Sequence, residues 1–186
     1  MDPTGLDSLH LTFDGDAEVL KSYYFEETEK GVFTGKVTVS QYKATNNIRY
    51  RDAPDATTIP EDPNEIEKNY YPQKFPSGYH KIKSATTEST NTVTGPNSIR
   101  TYATQELDVF EKLMNADTGE VYYEPAGKQL DSAYSIHGGS DDINDTTQGC
   151  IRVSDSDANN LANLVIKAQG SQGNTTITVI NTNGEN

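Results

Sequence analysis

The sequence predicts a mainly β fold with a thin core and long polar loops. Three observations carry that reading. Short stretches alternate apolar or β-branched residues with polar ones at a period of two, as over residues 9–13, 32–42 and 175–180. Clusters of Asp, Gly, Asn and Pro separate these stretches as turns. Leu, Ile, Val and Phe make up only about a fifth of the 186 residues and the formal net charge is −13, close to the composition at which chains stay unfolded. Eleven tyrosines and the alternating stretches keep it on the folded side. The length fits one domain over residues 1–186.

The elements follow in order. Leu9-His10-Leu11-Thr12-Phe13 alternates and runs into Asp14-Gly15-Asp16, a strand and its turn. Residues 18–25 form the return strand of a hairpin, and residues 32–42 add a third strand to the meander. From 44 to 71, Pro54, Pro60, Pro63 and many acidic residues predict a long surface loop, with one helical turn near 64–68. Pro76-Ser77-Gly78 opens a strand through Ile82, and the Thr-rich stretch 84–97 reads as a second polar loop. Strands are expected at 98–102 and 121–123. Between them, apolar residues at 107, 110, 113 and 114 predict a short amphipathic helix over 106–115. A strand at 133–136 delivers His137-Gly138-Gly139. After a polar loop and Gly149-Cys150-Ile151-Arg152-Val153, Asp157 is expected to cap a helix over 158–168 that stops at Gly170. Residues 175–180 close the fold as a strand.

Composition excludes several functions. A pI near 4.5 and only 15 Lys and Arg argue against nucleic acid and against an anionic membrane surface. No stretch approaches the roughly 20 apolar residues of a membrane span. Met1-Asp2-Pro3-Thr4-Gly5 offers neither a basic nor an apolar signal region, so no secretory signal is expected. One cysteine excludes an internal disulfide framework and a Cys-rich zinc site. Asp141, Asp142, Asn144 and Asp145 look like calcium ligands, but no Gly follows at the sixth position of an EF-hand register, so a solvated acidic loop is expected. No metal and no cofactor are predicted.

A thiol attacks as thiolate and needs a base or a positive field beside it. Cys150 is the single candidate, and the histidines are His10, His80 and His137. His137 lies 13 residues ahead of Cys150, each beside glycine, so the backbone can approach a substrate carbonyl closely. Amides near Cys150 could then hold an oxyanion, worth about 3–4 kcal/mol per donor. Two structural readings stand beside this one, with Cys150 as a buried small hydrophobe and His137 as an ordinary loop residue. Neither the cysteine-first order of papain-like enzymes nor the roughly 50-residue His–Cys spacing of caspases fits. His80 reads as structural, and nothing near His10 suggests chemistry.

The segment Ile136-His137-Gly138, then Thr147-Gln148-Gly149-Cys150-Ile151-Arg152-Val153, then Asp157-Ala158 and Leu161, resembles the active-site signature of the L,D-transpeptidases, the YkuD-like family. Asp157 falls five residues past Arg152, as the signature requires. Pro76-Ser77-Gly78 with Ile82, and the opening Leu11–Gly15, resemble further parts of such domains. Three departures stand out. Gln148 replaces a histidine, the gap between motifs is short, and Phe75 replaces a threonine. A subgroup with an H-G-G…G-C-I pattern, which includes peptidoglycan-targeting type VI secretion effectors, is closer on these points.

The resemblance implies a β-sandwich or barrel-like core with a helix following the catalytic loop. It implies that Cys150 attacks the carbonyl between the third residue and the terminal D-alanine of a peptidoglycan tetrapeptide stem. His137 would take the thiol proton and return it to the leaving amine. Gly138, Gly139, Gln148, Gly149 and Arg152 form the implied oxyanion and substrate-binding set, with the Gly149 and Cys150 amides as the expected oxyanion donors. Arg152 is expected either to bind a stem carboxylate or hold the loop, or to pair with Asp155 or Asp157. Asp157 is expected as structural support. The implied activities are L,D-transpeptidase, D-amino-acid exchange and L,D-carboxypeptidase. The alternative is a non-catalytic wall-binding or structural domain of the same fold. Expected partners are peptidoglycan stem peptides, plus an immunity protein if the chain is a secreted antibacterial effector. The expected location is the cell envelope, the periplasm or outside the producing cell.

Overall fold

The computed structural model describes residues 7–29, 32–46, 69–70, 74–88, 90, 94–139, 143, 147 and 149–181. The chain opens with β1 (Ser8–Asp14), whose alternation buries Leu9, Leu11 and Phe13 on one face. Asp14 closes the turn that follows, its carboxylate accepting the backbone N–H groups of Asp16 and Ala17. β2 (Val19–Glu29) returns antiparallel to β1, and β3 (Val32–Lys43) pairs with β2. These three strands are the predicted meander.

β4 (Asn69–Tyr70) follows, and then β5 (Gly78–Thr86), which runs further than expected and takes up the start of the predicted 84–97 loop. The helical turn expected at 64–68 lies outside the described residues. Next come β6 (Ser98–Thr101), β7 (Gln105–Met114) and β8 (Val121–Asp131). The helix predicted over 106–115 is therefore β7, half of a long hairpin with β8. The Asn115 side chain accepts the N–H groups of Asp117 and Thr118 and fixes the turn between them. Pairing with β8 along its whole length outweighs the weak helical spacing.

β9 (Ser135–His137), β10 (Ile151–Arg152), α1 (Asp155–Gly170) and β11 (Thr175–Ile180) complete the fold. One sheet has eight strands in the order β10-β9-β6-β5-β11-β1-β2-β3, and β4, β7 and β8 form a second. β11 runs parallel to β1, so the first and last strands lie side by side at the centre of the large sheet. That sheet curls. Thr45, just past β3, meets Arg152 of the opposite edge strand, its N–H donating to the Arg152 carbonyl at 2.9 Å and its carbonyl accepting the Arg152 N–H at 2.7 Å. The result is a half-barrel whose edges touch at one bridge, consistent with the expected mainly β core and following helix.

α1 buries Ala158, Leu161, Ala162, Val165 and Ala168, one stripe at helical spacing. It packs on β1, β5, β6, β9 and β11, against a core of Leu9, Leu11, Phe13, Ile82, Ile99, Ile136, Ile151 and Ile177. Its N-cap is Ser154, not Asp157. The Ser154 hydroxyl accepts the Asp157 N–H at 3.2 Å and donates to the Asp157 carboxylate at 2.7 Å. Both residues are good caps, and the helix starts at the earlier one because Asp157 can then answer it from the third helical position.

Candidate active site

β9 lies between β6 and β10, with Ile136 beside Ile99 on one side and Ile151 on the other. All three isoleucines are fully buried in the core. Strand alternation then turns Ser135 and His137 of β9, and Arg152 of β10, to the opposite face. Cys150, one residue ahead of β10, continues that row beside Ser135. Residues 13 apart in sequence are brought to one face by a parallel two-strand register.

His137 is buried, and its Nδ1 lies 2.6 Å from the Gly138 carbonyl oxygen. A carbonyl only accepts, so Nδ1 carries the proton and the lone pair of the neutral ring is on Nε2. Burial pushes the imidazole below its ordinary pKa. Arg152 adds to that, while the Gly138 carbonyl and Asp155 oppose it. Asp155, the first residue of α1, fixes the turn beyond, its carboxylate accepting the Gly139 N–H at 2.7 Å. A Cβ on Gly138 would stand 1.9 Å from that carboxylate oxygen, so only glycine admits the clamp.

The Cys150 sulfur contacts the Ser135 hydroxyl at 3.3 Å and the Ala133 carbonyl at 3.8 Å. It shares a face with His137 without a hydrogen bond to it. Burial pushes the thiol above its ordinary pKa. The hydroxyl and N–H of Ser135 pull it down, as does Arg152, and Asp131 pushes it up. The pair therefore rests as neutral thiol and neutral imidazole. Thr147 ties the turn, donating to the Cys150 carbonyl at 2.8 Å and accepting the Gly149 N–H at 3.2 Å. Gly149 reaches this position at φ +104°, a region that favours glycine. Its N–H is thus engaged, which leaves the Cys150 amide of the expected donor pair.

Arg152 is 7% exposed, yet among the described residues its Nε and Nη1 have no hydrogen-bond partner. The expected structural partners are committed elsewhere, Asp155 to Gly139 and Asp157 to Ser154. Among the described residues Arg152 forms no ion pair. Buried donors without partners are rare, and this cation lies beside Cys150 and His137. Gln148 lies outside the described residues, as do Asp141, Asp142, Asn144 and Asp145.

The other histidines stay apart. His80 Nε2 donates to the Pro76 carbonyl at 2.9 Å and its ring meets Phe75 edge-on, while His10 bonds Thr176. Sequence reasoning missed Ser135, Thr147 as a turn tie, and Asp155 as a clamp. The adjacent glycines were the available signal for the clamp, because a close approach needs something to approach.

Fold and site together describe a mainly β domain that brings one cysteine and one buried histidine to neighbouring strand ends, beside an arginine that forms no ion pair among the described residues. The profile of the YkuD family, the L,D-transpeptidase catalytic domain, matches residues 10–179, and the chain belongs to that family. Its membership indicates a peptidoglycan-related function. Among solved structures, the chain is similar to the helical cell shape determining protein Pgp2 from Campylobacter jejuni. For the K307A mutant the identity is 15% and the TM-score 0.47, covering 96% of this chain and 49% of that one. For the protein without that mutation the values are 14%, 0.46, 96% and 50%. The chain thus spans about half the length of these structures. No curated relative matches at a significant level. No helix among the described residues is long and apolar enough to cross a membrane.

Proposed function

We propose that this protein is a cysteine acyltransferase or hydrolase acting on peptidoglycan stem peptides in the cell envelope. The observation that carries the reading is the buried Arg152 guanidinium, whose Nε and Nη1 have no partner among the described residues, on the face shared by Cys150 and His137. A stem peptide ending in a carboxylate supplies what that guanidinium lacks, a planar anion for its free N–H donors. Docked there, the terminal peptide bond lies near the thiol. His137 Nε2 takes the thiol proton as sulfur attacks the carbonyl, and the tetrahedral oxyanion is held by the Cys150 N–H. The imidazolium then protonates the amine of the terminal residue, which leaves, and the acyl group remains as a thioester on Cys150. Attack by an amine gives a crosslink or an exchanged terminal residue. Attack by water gives a carboxypeptidase.

The neutral resting pair fits this route, because the proton moves only when the substrate arrives. The same feature supports the second reading, a wall-binding domain of the same fold without turnover, since thiol and imidazole are not hydrogen-bonded at rest. Incubation with disaccharide tetrapeptide separates the two. The enzyme releases D-alanine or forms a new amide, and Cys150→Ala abolishes both. Equal product from the two proteins would sink the nucleophile. An effector role makes one further demand, that toxicity in the periplasm of a producing cell disappears with Cys150→Ala and is countered by a dedicated immunity protein.

A further inference from the structure

Among the described residues, the two hydrogen-bond partners of the Cys150 sulfur belong to the segment that leads into His137, Ala133 through its carbonyl and Ser135 through its hydroxyl. The Ala133 carbonyl only accepts, so the thiol proton points there. The Ser135 hydroxyl has the sulfur as its partner among the described residues and therefore donates to it. Ser135 is 5% exposed and its backbone is held by β6, opposite Arg100, so the hydroxyl is fixed and poorly solvated. The two contacts pull in opposite directions on ionisation. A carbonyl oxygen repels a thiolate, whereas a hydroxyl hydrogen stabilises it.

We propose that Ser135 is the positioning residue of Cys150, its hydroxyl holding the sulfur at the β9–β10 seam and stabilising it as thiolate when the proton passes to His137. The inference rests on the cysteine-nucleophile reading above, but its test reads the sulfur alone. Ser135 reinforces the hydroxyl with its own amide N–H, which also favours the thiolate. Other groups act on the same sulfur. Asp131 at the end of β8 disfavours the thiolate, Arg152 on β10 favours it, and Tyr134, just ahead of β9, feels its charge. None of them changes when only the hydroxyl is removed.

Cys150 is the chain's only cysteine, so the mass of an iodoacetamide adduct on the full chain reports this one sulfur across pH. In Ser135→Ala the pH midpoint of alkylation should rise by about one unit and the rate at neutral pH fall about tenfold, as expected for loss of one hydrogen bond to a charged acceptor. Ser135→Thr should keep the original midpoint. Ser135→Val has the shape of the threonine variant without its hydroxyl and should match alanine. That isosteric pair carries the test if the alanine variant fails to fold. Equal midpoints for the valine and threonine variants, with melting temperatures unchanged, would overturn the proposal. Turnover of disaccharide tetrapeptide separates the two readings. A hydroxyl-dependent midpoint without turnover sinks the peptidoglycan reading and leaves Ser135 in place. Turnover with a midpoint indifferent to the hydroxyl does the reverse.

Discussion

Replacing Arg152 with methionine should make the protein more stable and inactive at once. The side chain is 7% exposed, and two of its nitrogens, Nε and Nη1, are buried without partners among the described residues. An unsatisfied buried donor costs about 1–3 kcal/mol. Methionine spans a similar length with a flexible apolar chain, and exchanging buried ions for apolar residues of like volume is often stabilising by about 1–4 kcal/mol. We expect a net gain of about 2 kcal/mol in Arg152→Met. With a urea dependence of about 2 kcal/mol per molar, the unfolding midpoint rises by about 1 M. The melting temperature rises by roughly 4–8 °C for a chain of this size. Added short-chain carboxylate should stabilise the parent protein and leave the methionine variant unmoved, since only the former has the receptor. Turnover of a carboxylate-terminated stem should fall by two orders of magnitude or more. A variant destabilised by more than about 1 kcal/mol would show that the guanidinium anchors the fold, and the argument that it waits for a ligand would fail.

Gly138→Ala should displace the Asp155 carboxylate, because its Cβ would fall 1.9 Å from Oδ1, and Asp155→Ala should cause a similar loss of about 1–2 kcal/mol. The double variant should cost little more than either single change, which chemical denaturation can read as a cycle. Ser154→Ala should lower stability by about 1 kcal/mol through loss of the helix cap, with the alkylation profile of Cys150 unchanged. Burial holds both His137 and His10 below their ordinary pKa, so the unfolded chain binds protons more readily. Stability should therefore be full above about pH 6.5 and fall as the pH drops below it. His10→Gln should shrink that acid-side loss in pH-dependent melting, whereas an unchanged slope would remove His10 from the account.

β1 and β2 were legible because each buries alternate residues, and burial writes a period of two into the sequence, whereas the two-residue β10, buried on both faces, carries no such period. β7 was misread as a helix for the complementary reason. The hairpin buries Leu107 of β7 but leaves Met114 of β7 56% exposed and Tyr122 and Leu130 of β8 44% and 62% exposed, so burial writes no clean period of two there. Asp157 was taken as the cap because it precedes an apolar run, although Ser154, three residues earlier, meets the same rule. Only the reciprocal bonds between them decide the start. Cys150 and His137 were legible as residue types beside glycines and through the family signature. Their neighbours were not. Ser135 and Thr147 are common polar residues whose meaning depends on which strand lies opposite.

The sequence by itself determined the β class, the helix after the Cys150 loop and the pair of reactive residue types, since periodicity and local motifs carry that information without long-range contacts. The tertiary structure decided where Arg152 sits and which carboxylates it does not meet. An arginine next to Asp155 and Asp157 in sequence is naturally expected to pair with one of them. The fold assigns Asp155 to the Gly139 amide and Asp157 to the helix cap, and register with β9 buries the guanidinium beside the thiol instead. Which carboxylate meets which donor depends on the path of the backbone through three dimensions, and sequence proximity does not fix it.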